Sequence, residues 1–274
     1  MDCATTADIS EGRDWDRPLQ SFFRRQLDLW PEVRSRYEAL ARVETKPLGM
    51  LIAQHNPARI RSTGAKTGKA DIAARPCFLC AHNRPQQQIA MPVGHGYDLL
   101  VNPYPILPMH FTIVAREHRP QTVTGVVQMM CSLVRQFPEL TVFYNGPCCG
   151  ASAPDHAHLQ AGTTGRDGSW PLPLQRLWGH LDGYPAPFRL LGADEHLLDD
   201  DVNIVAWDDK VVVFPRSKHR PDCYGRLMVS PGALDMAGLI ILPRREDYDS
   251  ITAAQACAIL REVGAQPERE DVHG

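Results

Sequence analysis

The sequence predicts an α+β fold built from two related halves, and three observations support this prediction. Runs of β-branched and aliphatic residues, YDLLVN (97–102) and HFTIVA (110–115), are typical of strands. The stretch QTVTGVVQMMCSLVRQF (121–137) carries its apolar residues at helical spacing. The same pattern then returns in weaker form, because DKVVVFPRSKHRP (209–221) and GLIILPRREDY (238–248) are similar to the first strand-turn stretch and to the second strand.

The remaining elements follow from the same patterns. Residues 19–43 mix aromatic and aliphatic side chains with Arg and Glu at helical spacing, which predicts one or two helices. ELTVFYN (139–145) and HAHLQAG (156–162) are the next predicted strands, and a Gly/Cys/Pro-rich loop joins them. We expect a further helix at ITAAQACAILREV (251–263), in the place that 121–137 holds in the first half.

The 274 residues suffice for one elaborated domain or two small ones packed together. We expect an N-terminal helical extension over residues 1–50, which begins with a loose polar terminus. The half that carries the chemistry is expected over 51–165, and a second, degenerate half over 166–274.

The composition indicates a soluble, cytoplasmic, globular protein. Apolar residues make up 43% and charged residues 22%, which excludes wholesale disorder and fibrous repeats. The net charge of −3 gives no broad basic surface for nucleic acid, although a local cluster of cations can still bind a small anion. No apolar run approaches the roughly 18 residues that span a bilayer, and the first residues do not resemble a signal peptide.

His156, His158 and Gln160 alternate with small or apolar residues. On a strand such positions share one face, so two imidazoles and an amide would line the same side. The alternative is a surface strand whose polar residues face solvent. The Gly-rich loop directly before the motif favours a functional site.

Cys77 and Cys80 form a Cys-x-x-Cys pair, a spacing that lets two thiolates bind one tetrahedral metal ion. In a reducing compartment metal binding or catalysis is favoured over disulfides. His118 and His156 are the nearest histidines that could complete such a site. A thioredoxin-like redox pair is the alternative, although no convincing long helix follows in a βαβ setting.

Three stretches, CFLCAHNRP, VNPYPILPMHFTIVAREHRP and VFYNGPCCGASAPDHAHLQAG, occur in this order. They resemble the branch of the histidine-triad superfamily that contains galactose-1-phosphate uridylyltransferase, diadenosine tetraphosphate phosphorylase and GDP-hexose phosphorylases. The most specific part is His-x-His-x-Gln preceded by Gly-x-Ser-x-Pro. The similarity runs from about Gln54 to Gly162, and more weakly from Val211 to Asp247. It implies a histidine-triad-like fold, with two related halves around a mostly antiparallel sheet and helices on one side.

The resemblance also implies nucleotidyl transfer from an NDP-sugar or a dinucleoside polyphosphate. In such enzymes the second motif histidine, here His158, attacks the α-phosphorus and forms a nucleotidyl-histidine intermediate, a role that suits a neutral imidazole. Gln160 would hydrogen-bond the phosphate oxygens. Related hydrolases have a third histidine at this position, so Gln160 favours phosphate or a sugar phosphate as the acceptor over water.

Further substrate contacts follow from the same resemblance. Asn145 would lie near the transferred phosphate, Asn102 near the ribose, and Ser152 would donate a hydrogen bond to the phosphate. Both asparagines could equally be turn residues at strand ends. The cations expected to neutralise the phosphates are Arg59, Arg216, Lys218 and Arg220, with Lys66 and Arg84 as further candidates.

Relatives in this branch hold a structural zinc ion, which the resemblance assigns to Cys77, Cys80, His118 and His156. Four protein ligands leave no open position, so the metal would fix the nucleophile strand rather than activate water.

Two other functions stay open at this point. One is hydrolysis of the same nucleotides, and the other is a zinc-stabilised nucleotide-binding protein without turnover. The intact His158 and Gln160 argue against the second, because a binding protein needs no nucleophile. We expect neither nucleic acid nor a membrane as a partner, and the oligomeric state, including a homodimer, stays open.

Overall fold

In a computed structural model of the protein, the described residues are 16–65, 68–94, 96–164, 172–192, 195 and 197–265. The expected loose terminus, apart from Asp16, and the candidate cation Lys66 lie outside these residues.

Two helices at the N-terminus confirm the helical prediction for residues 19–43. They are α1 (Asp16–Leu29) and α2 (Pro31–Leu40), and Pro31 opens α2 at a position where its missing N–H is not needed. The buried side chains of Leu19, Val33 and Tyr37 pack these helices against the main sheet.

The main sheet has eight strands in the order β3-β4-β5-β7-β6-β9-β10-β8. Every neighbouring pair is antiparallel, and β6 of the first half pairs directly with β9 of the second. The two halves therefore share one continuous sheet. Its strands are β3 (Met91–Val93), β4 (Tyr97–Val101), β5 (His110–Ala115), β6 (Leu140–Asn145), β7 (His158–Thr163), β8 (Arg189–Leu190), β9 (Val202–Trp207) and β10 (Lys210–Pro215).

A second sheet of three strands contains β1 (Glu44–Leu48), β2 (Leu51–His55) and β11 (Leu239–Leu242). β11 lies within the segment 238–248, which is similar in sequence to the second strand of the first half, but it belongs to this sheet rather than to the main sheet and runs parallel to β2. In the main sheet β10 has β9 and β8 as its neighbours. The segment boundaries at residues 50 and 165 stay a prediction.

Helices cover both faces of the main sheet, so the expectation of helices on one side is wrong. The remaining helices are α3 (Ile60–Thr63), α4 (Lys69–Ala73), α5 (Val126–Gln136), α6 (Pro173–Arg176), α7 (Ala233–Met236), α8 (Arg245–Ser250) and α9 (Ala253–Val263). Adjacent side chains of β10 point to opposite faces of the sheet. Val213 packs with the layer of α1 and α2, and Val212 packs with the layer on the other face, which contains α7 and α9. Within the described ranges, none of the helices has the length and apolar character needed to cross a bilayer.

Both long predicted helices form. The first is α5, which begins five residues later than the predicted start at residue 121. The second is α9, where the Thr252 hydroxyl caps the helix by accepting from the Gln255 backbone N–H at 3.2 Å. The layer that contains α9 also contains Phe143 of β6, the residue that pairs with Gln160 of β7.

Candidate active site

A cavity of about 690 Å³ lies against β5, β6 and β7 and brings most of the predicted substrate contacts together. Its volume is typical of a small-molecule site. The predicted residues that line it are Asn102, Asn145, Ser152, His158, Gln160, Arg59 and Arg220. Arg216 and Lys218 do not line it.

His158 is the first residue of β7 and is 6% exposed. Its Nδ1 lies 2.8 Å from the carbonyl oxygen of His156, which can only accept, so Nδ1 carries the ring proton. Nε2 therefore holds the lone pair, and it has no partner among the described residues. Burial lowers the pKa of His158, which keeps the ring neutral at neutral pH. The ring is thus in the tautomer that a nitrogen nucleophile requires.

The amide of Gln160 is oriented by His110, a residue that sequence reasoning missed. His110 Nδ1 accepts from the Ile106 backbone N–H at 3.1 Å, so His110 Nε2 carries the proton and donates it to Gln160 Oε1 at 3.0 Å. Burial lowers the pKa of His110 to about 3, which fixes the neutral ring. The Gln160 oxygen is thereby held by the protein, and its NH₂ group is left for the cavity.

Asn145 is oriented in the same way. Its Oδ1 accepts from the Ala233 backbone N–H at 2.7 Å and from Asn203 Nδ2 at 2.9 Å. In the part of the chain that the structure describes, Asn145 Nδ2 has no acceptor. Two neutral amide groups, of Asn145 and Gln160, are therefore available as hydrogen-bond donors on one cavity wall.

Asn102 and Ser152 also line the cavity but differ in how they are held. Asn102 Oδ1 accepts from the Tyr104 backbone N–H at 2.9 Å, and its Nδ2 donates to Thr112 Oγ1 at 3.1 Å. These are the bonds of a turn residue, the alternative that the sequence left open. The Ser152 hydroxyl has no partner among residues that the structure describes.

The cavity carries a positive charge. Five arginines line it against two aspartates, and the lining aspartates are Asp71 and Asp235. Arg59 donates to the Tyr104 carbonyl at 2.8 Å, and burial lowers the pKa of Arg59 to about 10, so that it stays charged at neutral pH. Arg220 donates to the Ala65 carbonyl at 2.9 Å. An anionic ligand fits this charge.

The structure does not bring Arg216 or Lys218 to the cavity. Arg216 is 4% exposed, and its guanidinium donates to Asn203 and to four backbone carbonyl groups, those of Lys218, His219, Pro231 and Val263. Lys218 forms ion pairs with Asp222 at 2.7 Å and Glu262 at 2.5 Å. Arg216 therefore holds converging loops together, and Lys218 is engaged on the surface.

Cys77, Cys80, His118 and His156 come together as predicted, with donor atoms all within 4.8 Å of one another. The distance between the two histidine Nδ1 atoms is 3.3 Å, and the sulfur-to-nitrogen distances include 3.2 Å for Cys80–His118 and 3.6 Å for Cys80–His156. Tetrahedral zinc with ordinary bond lengths would separate two nitrogens by about 3.3 Å and sulfur from nitrogen by about 3.6 Å. The cluster therefore has the dimensions to hold a metal ion.

The second ring nitrogen of His156 supports this conclusion. His156 is fully buried, and its Nε2 donates to the Ala115 carbonyl at 2.7 Å. The Nδ1 lone pair must then point into the cluster. A backbone carbonyl behind a histidine ligand is the usual arrangement around bound metals.

Residues 22–163 match the family described as a domain of unknown function, DUF4922, which is more than half of the chain. The chain belongs to the DUF4922 family. The DUF4922 segment contains the four-residue cluster as well as His158 and Gln160. Residues 187–270 match the family described as the GDPGP1-like C-terminal domain. No curated protein matches the chain by sequence.

Structures of yeast Ap4A phosphorylase Apa2 have the same fold as this DUF4922 protein. One has a TM-score of 0.57 at 17% identity and covers 87% of this chain and 97% of its own. The complex with Ap4A has a TM-score of 0.58 at 16% identity, with coverages of 87% and 98%. The complex with AMP has a TM-score of 0.54 at 18% identity, with coverages of 89% and 98%. This likeness confirms the predicted α+β, histidine-triad-like fold, and the GDPGP1-like match in the second half is consistent with the branch that the sequence resembles.

Proposed function

We propose that this protein transfers a nucleoside monophosphate from a dinucleoside polyphosphate or an NDP-sugar to phosphate or a sugar phosphate, through a covalent intermediate on His158. The observation that carries the proposal is the His158 ring, whose proton is fixed on Nδ1 while Nε2, at the cavity wall, has no partner within the described ranges.

The first step forms a bond between His158 Nε2 and the α-phosphorus and breaks the bond from that phosphorus to the bridging oxygen. The leaving group departs as a sugar phosphate or as a nucleoside polyphosphate. In the second step an oxygen of the acceptor attacks the same phosphorus, the nitrogen–phosphorus bond breaks, and with inorganic phosphate the product is an NDP.

The Asn145 and Gln160 amides and the Ser152 hydroxyl can donate to the phosphate oxygens as charge moves between the two steps. Arg59 and Arg220 offset the charge of the polyphosphate. The structural relatives favour a nucleotide ligand, because Apa2 is an Ap4A phosphorylase whose structures include complexes with Ap4A and with AMP.

The acceptor is an anion rather than water. Gln160 has no titratable proton, so the motif offers no proton relay to an incoming water molecule. A phosphate acceptor arrives ionised and needs cations rather than a general base.

The metal of the Cys77, Cys80, His118 and His156 cluster is zinc, held as a structural ion. Bound zinc would supply a fixed cross-link between the Cys-x-x-Cys turn and the start of β7. His156 Nδ1 would bind the metal while the His156 carbonyl accepts the hydrogen bond from His158 Nδ1, so one residue would serve both sites.

The proposal is tested by incubating the protein with dinucleoside polyphosphates and NDP-sugars, with and without inorganic phosphate, and separating the products. We expect NDP release that requires phosphate. Labelled nucleotide should remain on the wild type after an alkaline quench, and His158→Ala should lose both label and turnover. The exposed His180→Ala is the control and should retain both. NMP release at equal rates without phosphate would show a hydrolase, and binding without label or turnover would show a binding protein.

A further inference from the structure

The hydrogen-bond ladder between β6 and β7 ends before it reaches the nucleophile. Four residue pairs join these strands, from Leu140↔Thr163 to Phe143↔Gln160. Beyond Phe143 this pairing stops, although β6 itself continues alongside β9 as far as Asn145↔Asn203. Among the described residues, the backbone of His158 therefore has no strand partner on the β6 side.

The side chain of Gln121 fills this gap. Its Oε1 accepts from the His158 backbone N–H at 2.8 Å. Its Nε2 donates to the His158 carbonyl and to the Asn145 carbonyl, each at 2.9 Å. Gln121 is 4% exposed, so these groups have no water to replace the bonds. A side-chain amide has the donors and the acceptor of a peptide group, and here it stands in for the missing strand.

Gln121 is itself anchored to the segment that leads into β7. Its backbone N–H donates to the Pro154 carbonyl at 3.0 Å, and the Ala157 N–H donates to the Arg119 carbonyl at 2.7 Å. The Gln121 side chain thus binds both the N–H and the C=O of His158, and backbone hydrogen bonds hold the segment that carries Gln121 against the segment that leads into β7.

We propose that Gln121 is a positioning residue, which holds the His158 backbone so that the His158 ring keeps its bond to the His156 carbonyl and its Nε2 stays aimed at the cavity. This role rests on the proposed function of His158. The Nδ1–His156 bond spans only two residues of backbone, so any rotation of the His158 peptide changes its length and angle directly.

Gln26 offers a matched comparison. It is also a fully buried glutamine whose amide bonds only backbone: Nε2 donates to the Gln87 carbonyl at 2.8 Å, and Oε1 accepts from the Ile89 N–H at 2.8 Å. It does not line the cavity, and its two amide hydrogen bonds go to residues outside β7. Gln26→Met removes two bonds to backbone and Gln121→Met removes three, with a similar loss of shape, but only Gln121→Met removes bonds to the nucleophile.

The experiment measures kcat, KM, Tm and the ring-nitrogen NMR spectrum of His158 in the wild type and in both methionine variants. Both variants should lower Tm. Gln121→Met should lower kcat about 100-fold, the cost of a nucleophile displaced by about 1 Å, with KM changed less than about threefold. The His158 ring should change from the single Nδ1–H tautomer to a mixture. Gln26→Met should retain wild-type kcat and the single tautomer.

A kcat for Gln121→Met within about threefold of the wild type would overturn the proposal, and so would an equal loss in Gln26→Met. Gln121→Glu is the second variant, because it keeps the shape of the side chain and the acceptor for the His158 N–H but turns a carboxylate oxygen toward the two carbonyls, so we expect kcat to fall at least as far as in Gln121→Met. If neither Gln121 variant folds while Gln26→Met does, Gln121 is a folding residue only. If the wild type shows no turnover, the proposed function fails, and the NMR comparison still decides whether Gln121 fixes the ring.

Discussion

Replacing His110 by leucine removes the group that orients Gln160. The leucine side chain has a similar volume, so the change mainly deletes the hydrogen bonds from the Ile106 N–H and to Gln160 Oε1. At pH 7.5 we expect a loss of about 2–4 kcal/mol in the free energy of unfolding. Each bond contributes about 1 kcal/mol, and the Ile106 N–H is left buried without an acceptor.

The loss should shrink at acidic pH. The pKa of His110 falls from 6.5 to about 3 on burial, so the unfolded chain binds a proton that the folded chain does not. The stability that neutral His110 contributes is present above pH 6.5 and is lost as the pH falls toward 3. Between pH 7.5 and pH 5 the wild type therefore loses about 2 kcal/mol of its free energy of unfolding through this residue. The leucine variant has no such group, so the difference in stability between the two proteins becomes smaller at pH 5.

Urea denaturation of both proteins at pH 7.5 and pH 5 measures the difference. Acid also weakens the metal cluster, but it does so in both proteins and cancels in the comparison. The exposed His180→Leu serves as the control and should follow the wild type at both pH values. If the free energy of unfolding falls by the same amount from pH 7.5 to pH 5 in the wild type and in His110→Leu, His110 is not neutral by burial, and the assigned orientation of Gln160 is refuted with it. The variant should also lose about 10- to 100-fold in kcat, somewhat less than outright removal of an anion donor.

Elemental analysis should find about one zinc ion per chain, and Cys77→Ser should lower Tm more than it weakens nucleotide binding. Metal-free wild type with an unchanged Tm in the variant would contradict this. Arg220→Gln should raise the KM for phosphate about 10-fold, as one charge-assisted bond is lost, with a smaller fall in Tm than Arg216→Gln, because fewer buried groups depend on Arg220. Arg216→Gln should instead lower stability by about 3 kcal/mol, since Asn203 and several carbonyls lose their donor; an equal rise of KM in both arginine variants would show that both contact phosphate.

The parts of the site that the sequence predicted are local in the chain. His156, His158 and Gln160 lie within five residues, and the Cys-x-x-Cys pair lies within four. Local spacing determines which side chains share a strand face or a turn, so these groups could be found from periodicity and from the family resemblance. The assignment of His118 to the cluster also came from the resemblance, and the structure brings it to 3.2 Å from Cys80 Sγ.

The residues that sequence reasoning missed act over long chain distances. His110 and Gln160 are 50 residues apart, Gln121 and His158 are 37 apart, and Asn145 and Asn203 are 58 apart. None of these pairs has a local pattern, because each contact depends on which strands become neighbours. The available sequence signal for Gln121 was Pro120 directly before it, which favours an irregular segment ahead of the helix, and α5 indeed begins only at Val126.

The sequence also could not distinguish cations that face the cavity from cations that hold the fold together. Arg216, Lys218 and Arg220 look equivalent in the sequence, but only Arg220 lines the cavity. Arg216 follows Pro215 at the end of β10, where the carbonyl groups of Lys218, His219, Pro231 and Val263 converge. A guanidinium has five N–H donors and satisfies these groups, so the Arg216 side chain is not available to a ligand.

The orientation of the two cavity amides explains why a glutamine can replace a third histidine. A free amide can present its oxygen or its nitrogen, and only the nitrogen attracts a phosphate. Here His110 holds the oxygen of Gln160, while Asn203 and Ala233 hold the oxygen of Asn145. The donors face the cavity before a ligand arrives, so no reorganisation is needed when charge develops on the phosphate. They also stay neutral through both half-reactions. In the proposed reaction such a wall would stabilise the transferred phosphoryl group but could not deprotonate water, and the acceptor would therefore have to bring its own negative charge.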